Sequence, residues 1–501
     1  MSDPLCEPWL RGVAFNPAAP SGVLIRLLDR SGHGAGPAMC EGRELPGAVI
    51  DAALRHPDQH IRRALARNRF VDPVRLAPLA TDPSGVVRGW LAGGPRGFPR
   101  RVRPLPDDIL VALLTARDGG EDGRATADEI AAELVSSRQI PLSFPPSLAG
   151  HRHPGLRVRA TRSWQSLTPE QRTALLDDPD PEVRRAARDS SWVLDPERVE
   201  AMLPSFGARN AFVFETCALT PALVERCFAD GTVRPLARNR HIPAHAVARL
   251  ARHPDAGVRA LAAARPDAGP DLIEVLAADP DEDVRMRARL QPFTPTWAEY
   301  AVVQRVAGHG PDCTCPVTEP FAEPTRGASP GPSPDWFAAC AVSGEPVLRR
   351  VAASWPGLCA ELVEALARDA DEEVRIRLAC HHAQAPPRLL LDVFTTRPAH
   401  RPHLLDLPAF PRTGRAHLTG HPDPEVRALA AADPALPEPP VADPDASVRR
   451  AAATNPNLAP ETMEALLADP ATAESAAANP ALPVPRMHAL LDHCLHGTGT
   501  P

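Results

Sequence analysis

The feature that most constrains this chain is a short internal repeat. A hydrophobic residue followed by arginine recurs about every 25 residues over most of the sequence. In one run this hydrophobic residue, called the anchor below, falls at Val158, Val183, Ala208, Val233, Val258 and Val284, with successive spacings of 25, 25, 25, 25 and 26. In a second run the anchors are Leu348, Val374, His400 and Val426, each 26 apart. A fixed period of this length is typical of stacked repeats in which each unit is one supersecondary element.

Each unit has the sequence of two short helices joined by a break. In DPDPEVRRAA (178–187) an aspartate can cap the helix N-terminus, and proline suits the first helical position. The break NPNLAP (455–460) contains proline and asparagine, and ETMEALLADP (461–470) is typical of the second helix. Such short helices bury their apolar faces only against neighbouring units, so the sequence predicts an all-α solenoid that is stable as an array.

Length and composition agree with a repeat array. The chain has 501 residues, whereas a single hydrophobic core stops growing near about 250–300 residues. All 55 basic residues are arginine, which we interpret as the coding bias of a GC-rich bacterial genome. The sequence begins without a signal-peptide pattern, and no apolar run reaches the ~18–20 residues that span a bilayer. The ten cysteines are irregularly spaced and indicate mostly reduced thiols, so we expect a cytoplasmic protein without a membrane partner.

Breaks in the period divide the chain into five predicted segments. They are an N-terminal cap with the first repeats (1–88), an irregular insert with degenerate repeats (89–150), regular 25-residue repeats (151–291), a Pro/Gly-rich insert (292–335), and C-terminal repeats with a cap (336–501). Within the first insert, residues 107–117 and 126–137 are predicted to be helical.

The motif DPDPEVRRAA, a break containing NP and a following LLxxLAxDP-like helix resemble the leucine-rich repeat variant family, which is related to HEAT-like repeats. The resemblance implies a right-handed superhelix of two-helix repeats with alternating α- and 3₁₀-helices. Some members carry an N-terminal cysteine cluster that binds an iron–sulfur centre. Only Cys6 and Cys40 lie near the N-terminus here, so that module is expected to be absent and no cofactor is predicted. The resemblance implies a fold but no activity.

The arginine after each anchor has two interpretations. A row of arginines could grip phosphates, or it could form a structural ladder in which each guanidinium pairs with a cap aspartate of its own or a neighbouring unit. We favour the ladder because the position repeats with the period. The row comprises Arg159, Arg184, Arg234, Arg259, Arg285, Arg375, Arg427 and Arg449.

Cysteine and histidine give weaker signals. Cys313 and Cys315 lie in the Pro/Gly-rich insert with His309 nearby, and such groups can hold zinc, but a site needs about four ligands and the others are not evident. We therefore predict no metal there, although a metal or redox module at Cys313 and Cys315 remains an alternative. Histidine replaces aspartate before proline in several units, which indicates a structural position. The paired histidines 151 and 153, and 381 and 382, are likewise interpreted as structural.

Charge is unevenly distributed, although the net charge is −7. Residues 51–104 contain 11 arginines against 4 aspartates, whereas residues 419–501 contain 4 arginines against 11 acidic residues. Arg96, Arg100, Arg101 and Arg103 fall outside the repeat and form the candidate partner-binding patch. No nucleotide loop or catalytic motif is present. We therefore predict a non-catalytic protein–protein interaction scaffold with an acidic partner, and a nucleic-acid-binding HEAT-like solenoid as the alternative.

Overall fold

Short helices joined by turns make up the described part of the chain. The structure is a computed structural model that describes residues 3–29, 34–95, 104–116, 126–137, 139–140, 144–206, 210–308 and 332–496. No β-strand occurs in these ranges, so the all-α prediction is confirmed. The chain divides into a terminal unit, residues 1–141 with 390–501, and a central unit, residues 142–389.

The helices fall in three stretches of sequence. The first contains α1 (Cys6–Phe15), α2 (Ser21–Arg26), α3 (Ala35–Gly42), α4 (Gly47–Leu54), α5 (Gln59–Ala66), a 3₁₀-helix (Pro73–Thr81), α6 (Gly85–Gly93), α7 (Asp107–Thr115) and α8 (Ala127–Ser136). The second contains α9 (Phe144–Ser147), α10 (Pro154–Thr161), α11 (Pro169–Leu176), α12 (Pro181–Ser191), α13 (Pro196–Phe206), α14 (Asn210–Thr216), α15 (Pro221–Ala229), α16 (Val233–Arg238), α17 (Ala244–Leu250), α18 (Ala256–Ala263), α19 (Pro270–Ala277), α20 (Glu282–Leu290), α21 (Trp297–Ala307), α22 (Pro334–Ala341), α23 (Pro346–Ala353), α24 (Ala360–Leu366) and α25 (Glu372–His381). The third contains α26 (Pro387–Thr396), α27 (Arg401–Leu405), α28 (Pro424–Ala431), α29 (Ala446–Ala453), α30 (Pro460–Ala468), α31 (Ala473–Ala477) and α32 (Val484–His496).

These helices pack on neighbours of the same kind. In the central unit α16 packs on α18 and α18 on α20, while α17 and α19 lie between them in sequence and pack on their flanking helices. This arrangement is typical of an α-solenoid. The two helices predicted in the first insert are confirmed as α7 and α8. Short 3₁₀-helices occur at some of the breaks, for example Trp164–Ser166 and Trp192–Leu194. None of the described helices has the length and apolar character needed to cross a membrane.

The predicted caps and anchors explain why these helices form where they do. Asp180 accepts a hydrogen bond from the backbone N–H of Glu182 (2.8 Å), which satisfies one of the free donors at the start of α12. The anchor is the third residue of such a helix and is fully buried in most units, as Val183, Val258, Val284, Leu348, Val374, Val426 and Val448 are.

Two predicted anchors, Val158 and Val233, are not the third residues of their helices. Helix α16 begins at Val233 itself. Because α10 begins at Pro154, its third position is Leu156, which is buried, whereas Val158 is only partly buried. The anchor of that unit is therefore Leu156, and its arginine is Arg157 rather than Arg159. Ala208, the anchor predicted two units later, lies outside the described residues.

A buried asparagine ties consecutive C-terminal repeats together. Asn455 Nδ2 donates to the carbonyl oxygens of Ala431 (3.0 Å) and Asp433 (2.8 Å) in the preceding unit. One unit later, Asn479 Nδ2 donates to the carbonyl oxygens of Ala453 and Asn455, both at 2.8 Å. Both asparagines are fully buried, so each bond satisfies backbone groups that water cannot reach. We call this series the asparagine ladder.

The N-terminal helix continues the asparagine ladder beyond the last repeat. Asn16 Nδ2 donates to the carbonyl oxygens of Ala477 (3.0 Å) and Asn479 (2.6 Å), and α1 packs on α31 and α32. Cys6 and Cys494 form a disulfide within the terminal unit. The two ends, interpreted from sequence as caps, are therefore in contact, and the face of α1 that carries Leu10 and Val13 is covered rather than open to solvent.

The disulfide adds one bond to a set of cysteines that were predicted to be mostly reduced. Two of the ten are bonded to each other, and the free thiols in the described ranges are Cys40, Cys217, Cys227, Cys340, Cys359 and Cys380. Burial raises the pKa of the Cys40 thiol to about 12, as expected of a cysteine that acts as a small apolar core residue.

Candidate ligand groove in the central unit

The repeated arginines bind within the chain, which agrees with a structural role, and some of them also pair with an aspartate as predicted. The arginines for which the bonds run to backbone carbonyls preceding their helices are Arg184, Arg285, Arg375 and Arg449. Arg259 donates through Nη1 to the carbonyl oxygens of His253 (2.9 Å) and Pro254 (3.0 Å), which precede its own helix. Its Nε and Nη2 form a bidentate pair with the carboxylate of Asp279 in the next unit, at 2.7 and 2.9 Å. The partner is not the capping Asp281 but the aspartate two residues before it, so the pairing differs in detail from the prediction.

The same geometry recurs in the terminal unit and in the central unit. The bidentate pairs are Arg62–Asp82, Arg157–Asp178, Arg259–Asp279, Arg349–Asp369 and Arg427–Asp443. Hydrogen bonds from Arg259 hold the pKa of Asp279 below its ordinary value, and those from Arg157 do the same for Asp178. These arginines are engaged within the chain, which leaves little of their binding capacity for a ligand.

The histidines before proline are structural in the same sense. Nδ1 of His253 accepts a hydrogen bond from the backbone N–H of Asp255 at 3.1 Å. In another repeat a carboxylate oxygen of Asp178 accepts the equivalent bond from the backbone N–H of Asp180 at 2.9 Å. His382 is buried, and burial lowers the pKa of its ring. In the described ranges no cluster of three or more histidine, cysteine or acidic residues is placed to hold a metal ion.

The remaining predicted site residues cannot be placed. Arg96, Arg100, Arg101 and Arg103, the candidate partner-binding patch, lie outside the described residues. So do His309, Cys313 and Cys315. Their roles stay predictions.

A site that sequence reasoning missed lies in the central unit. An open cavity of about 540 Å³, called the groove below, is formed by the ends of α14 and α16, by α18 and α20, and by one face of α21. Its lining residues are Glu215, Thr216, Arg238, Arg240, Leu261, Arg287, Trp297, Tyr300, Ala301, Gln304, Ala307 and Gly308. A cavity of this size can hold a small molecule or a few residues of a peptide.

Helix α21 supplies the aromatic wall of the groove. Trp297, Tyr300 and Gln304 are spaced by three and four residues, so they lie on one face of the helix. The Trp297 and Tyr300 rings meet edge to face, with centroids 5.2 Å apart. The helix starts with a capping box between Thr296 and Glu299, which fixes the position of Trp297 in the first turn.

A buried arginine supports this wall from beneath. Arg265 is fully buried and stands in its repeat where Asn455 and Asn479 stand in theirs, in the asparagine ladder. Its Nη1 donates to the carbonyl oxygens of Ala237 and Asn239 in the preceding repeat, both at 2.8 Å. Its guanidinium carbon lies 5.1 Å from the centroid of the Trp297 ring, within the range of a cation–π contact. Its charge is balanced by Asp267, whose carboxylate accepts two hydrogen bonds from it at 2.7 and 2.8 Å.

The arginines that line the groove differ in how they are engaged. Arg287 is held by the Asp283 carboxylate and donates to the side-chain oxygen of Gln304 at 2.7 Å. Arg238, at the end of α16, is exposed and has no ion pair or side-chain hydrogen bond to any described residue. The lining therefore has three guanidinium groups against the single carboxylate of Glu215, and it presents a free fork of N–H donors at Arg238.

The hydroxyl of Tyr300 completes the site as a neutral group. Burial raises the pKa of Tyr300, against an opposing effect of the nearby arginines Arg265, Arg287 and Arg238. The phenol therefore stays protonated at neutral pH and can donate a hydrogen bond. Taken together, the groove offers positive charge, hydrogen-bond donors and aromatic edges, a combination that suits an anionic group attached to an apolar or aromatic body.

One sequence signal could have indicated the groove. Tyr300 is the only tyrosine of the chain, and it shares a helical face with Trp297. Compared with known proteins, the chain matches no family model and no curated sequence.

Proposed function

We propose that this protein is a non-catalytic helical-repeat scaffold that binds an acidic segment of a partner protein in the groove. The observation that carries the proposal is Arg238, an exposed guanidinium without a partner in the described chain, beside the aromatic wall of Trp297 and Tyr300. A carboxylate that accepts hydrogen bonds from such a group gains about 1.5–3 kcal/mol. Apolar side chains next to that carboxylate would pack on the rings.

The proposal includes a family and a cellular location. The two-helix units, their capping aspartates and their buried anchors support a leucine-rich repeat variant protein with a right-handed superhelix of about 25-residue repeats. We infer a cytoplasmic location, for which the six free thiols among the described residues are the supporting observation.

A binding assay with short probes tests the proposal. The first probe is a fluorescein-labelled octapeptide of glutamates with one central phenylalanine, and the matched probe has lysine in place of glutamate. By fluorescence polarisation we expect the acidic peptide to bind and the basic one not to bind. Arg238→Glu is expected to weaken binding of the acidic peptide by about tenfold or more, because a charge-assisted hydrogen bond is replaced by repulsion.

The control is a charge reversal outside the groove. Arg252 is exposed in the central unit and is not part of the lining, and among the described residues it donates to the carbonyl oxygen of Ala248. Arg252→Glu makes the same change in net charge as Arg238→Glu. Its affinity for the peptide should stay within about twofold of the unmodified protein. Equal weakening by both variants would show that general charge, not the groove, binds the peptide. Tighter binding of a single-stranded oligonucleotide than of the peptide would favour the nucleic-acid alternative.

A further inference from the structure

The contact between the chain ends is built like a contact between consecutive repeats. We call it the seam; it joins α1 and α2 to α30, α31 and α32 within the terminal unit. Asn16 bonds across the seam to the carbonyls of Ala477 and Asn479, just as Asn479 bonds to Ala453 and Asn455 one unit earlier. The N-terminal segment thus occupies the place of the repeat that would follow the last one.

Side-chain contacts outside the asparagine ladder add to the seam. Trp9 Nε1 donates to the carbonyl oxygen of Leu467 at 2.9 Å. Arg26 pairs with the Asp492 carboxylate at 2.5 Å, and a carboxylate oxygen of Asp3 lies 3.0 Å from His493 Nε2. Most of these charged groups are at least partly exposed, so solvent and salt weaken them.

The backbones approach closely at Gly12. A Cβ at this position would overlap the carbonyl oxygen of Glu474 and would lie 2.5 Å from the Cβ of Ala477. Only glycine allows α1 to pack on α31 at this distance. The seam is therefore a close-packed surface that either forms completely or separates, and it leaves little room for partial sliding.

The disulfide lies at the outer margin of the seam. Cys6 is the first residue of α1 and Cys494 is in the last turn of α32, and their separation along the chain is 488 residues. Both sulfur atoms belong to buried residues, but helix ends fray locally at low cost, which gives a reductant access without unfolding of the unit. In a reducing cytoplasm a disulfide is rare, and those that occur are usually redox-sensing or catalytic.

We propose that the Cys6–Cys494 disulfide is a redox latch that keeps the seam closed, and that its reduction by a low-molecular-weight thiol opens the seam. Opening separates α1 from α31 and uncovers the carbonyl groups of Ala477 and Asn479 together with the apolar face that carries Leu10 and Val13. The latch lies in the terminal unit and does not rest on the proposed function of the groove.

The reaction is ordinary thiol–disulfide exchange. A thiolate of the reductant attacks one cysteine sulfur, the sulfur–sulfur bond breaks, and the other cysteine leaves as a thiolate that takes up a proton. A second reductant thiolate attacks the resulting mixed disulfide and releases the first cysteine. Two electrons pass to the protein, and the reductant leaves as its own disulfide.

Hydrogen exchange measured by mass spectrometry tests the latch on the full chain, with dithiothreitol as the probe. Peptide mapping without reductant should first give the linked Cys6–Cys494 peptide. On reduction under native conditions we expect the amides of α1 and α31 to exchange about 30-fold faster or more, the factor for the lower end of a disulfide's usual contribution. The amides of α28, in the same unit but away from the seam, should be unchanged.

Two variants separate the latch from general effects of the reductant. Cys494→Ser should exchange fast at α1 without dithiothreitol and should not respond to it. Cys359→Ser, which removes an exposed free thiol, should behave like the unmodified protein. The proposal is overturned if the linked peptide is absent, if full reduction leaves α1 protected, or if α28 loses protection together with α1, since that would make the disulfide a support of the whole unit.

Discussion

The seam of the terminal unit and the groove of the central unit contain the same kinds of side chain, with opposite outcomes. In the seam, Trp9 donates to a backbone carbonyl and Arg26 pairs with Asp492. In the groove, Trp297 lines an open cavity and Arg238 has no partner among the described residues. The chain satisfies the polar groups of the seam by itself, whereas no described residue pairs with Arg238. Polar groups that are paired within the chain stabilise the fold, and an exposed group without a described partner is the candidate for binding.

The largest expected effect concerns the asparagine ladder. Asn455→Ala leaves the carbonyls of Ala431 and Asp433 without their buried donor. We expect the free energy of unfolding to fall by about 2–4 kcal/mol, since each unsatisfied buried group costs about 1–3 kcal/mol. Urea denaturation followed by circular dichroism measures it.

Asn457 provides the matched control for this change. Its side chain donates to the carbonyls of Pro434 and Leu436 in the same way, but it is exposed, so water can replace it. Asn457→Ala should cost less than about 1 kcal/mol. Similar losses of unfolding free energy in the two variants would mean that the contribution of the asparagine ladder to stability does not depend on burial.

The next effect concerns the arginine ladder. Arg259→Ala removes the bidentate pair with Asp279, whose side chain is only 8% exposed in the intact protein, and two bonds to backbone carbonyls. We expect a loss of about 1–3 kcal/mol in the free energy of unfolding. Arg252→Ala, at an exposed arginine with one backbone bond, is the control and should be near neutral. If Arg259→Ala left the free energy of unfolding unchanged, the structural interpretation of the repeated arginine would be wrong.

The smallest expected effect is on the pH dependence of stability. Hydrogen bonds from Arg157 and Arg259 hold the pKa values of Asp178 and Asp279 below their ordinary value of 3.8. A carboxyl group with a lowered folded-state pKa contributes stability above its ordinary pKa and loses it as the pH falls through the folded-state value. The urea concentration at the unfolding midpoint should therefore decrease as the pH is lowered from about 5 to about 3. This decrease should be smaller in Asp279→Asn. If the urea midpoint of Asp279→Asn decreased with falling pH as much as that of the unmodified protein, Asp279 would not contribute to the pH dependence of stability.

Much of the fold could be predicted because the repeat is local. Each capping aspartate, the proline after it and the buried anchor lie within a few residues, so spacing alone located α12, α18 and α20. The error at Val158 arose because His153-Pro154 resembles the His-Pro that opens other units, such as His253-Pro254. The unit opens two residues earlier, at His151, whose Nδ1 accepts the backbone N–H of His153 as that of His253 accepts the N–H of Asp255.

The seam and the groove could not be predicted in the same way. The seam joins residues more than 450 positions apart, such as Trp9 and Leu467, and no local pattern encodes that contact. The groove depends on which arginines have a partner among the described residues: Arg234 pairs with Asp255, whereas Arg238 has no described partner, and the sequence around them does not show this difference. Of the groove, only the shared helical face of Trp297 and Tyr300 could be predicted from the sequence.

The most direct test of the account measures Arg238→Ala and Arg259→Ala side by side, for stability in urea and for affinity to the glutamate-rich octapeptide. Arg238→Ala should leave the free energy of unfolding within about 0.5 kcal/mol and weaken peptide binding by about fivefold or more. Arg259→Ala should lower the free energy of unfolding by about 1–3 kcal/mol and leave the affinity of the folded protein unchanged. The reverse pattern, with Arg238 stabilising the fold and Arg259 binding the peptide, would contradict the account.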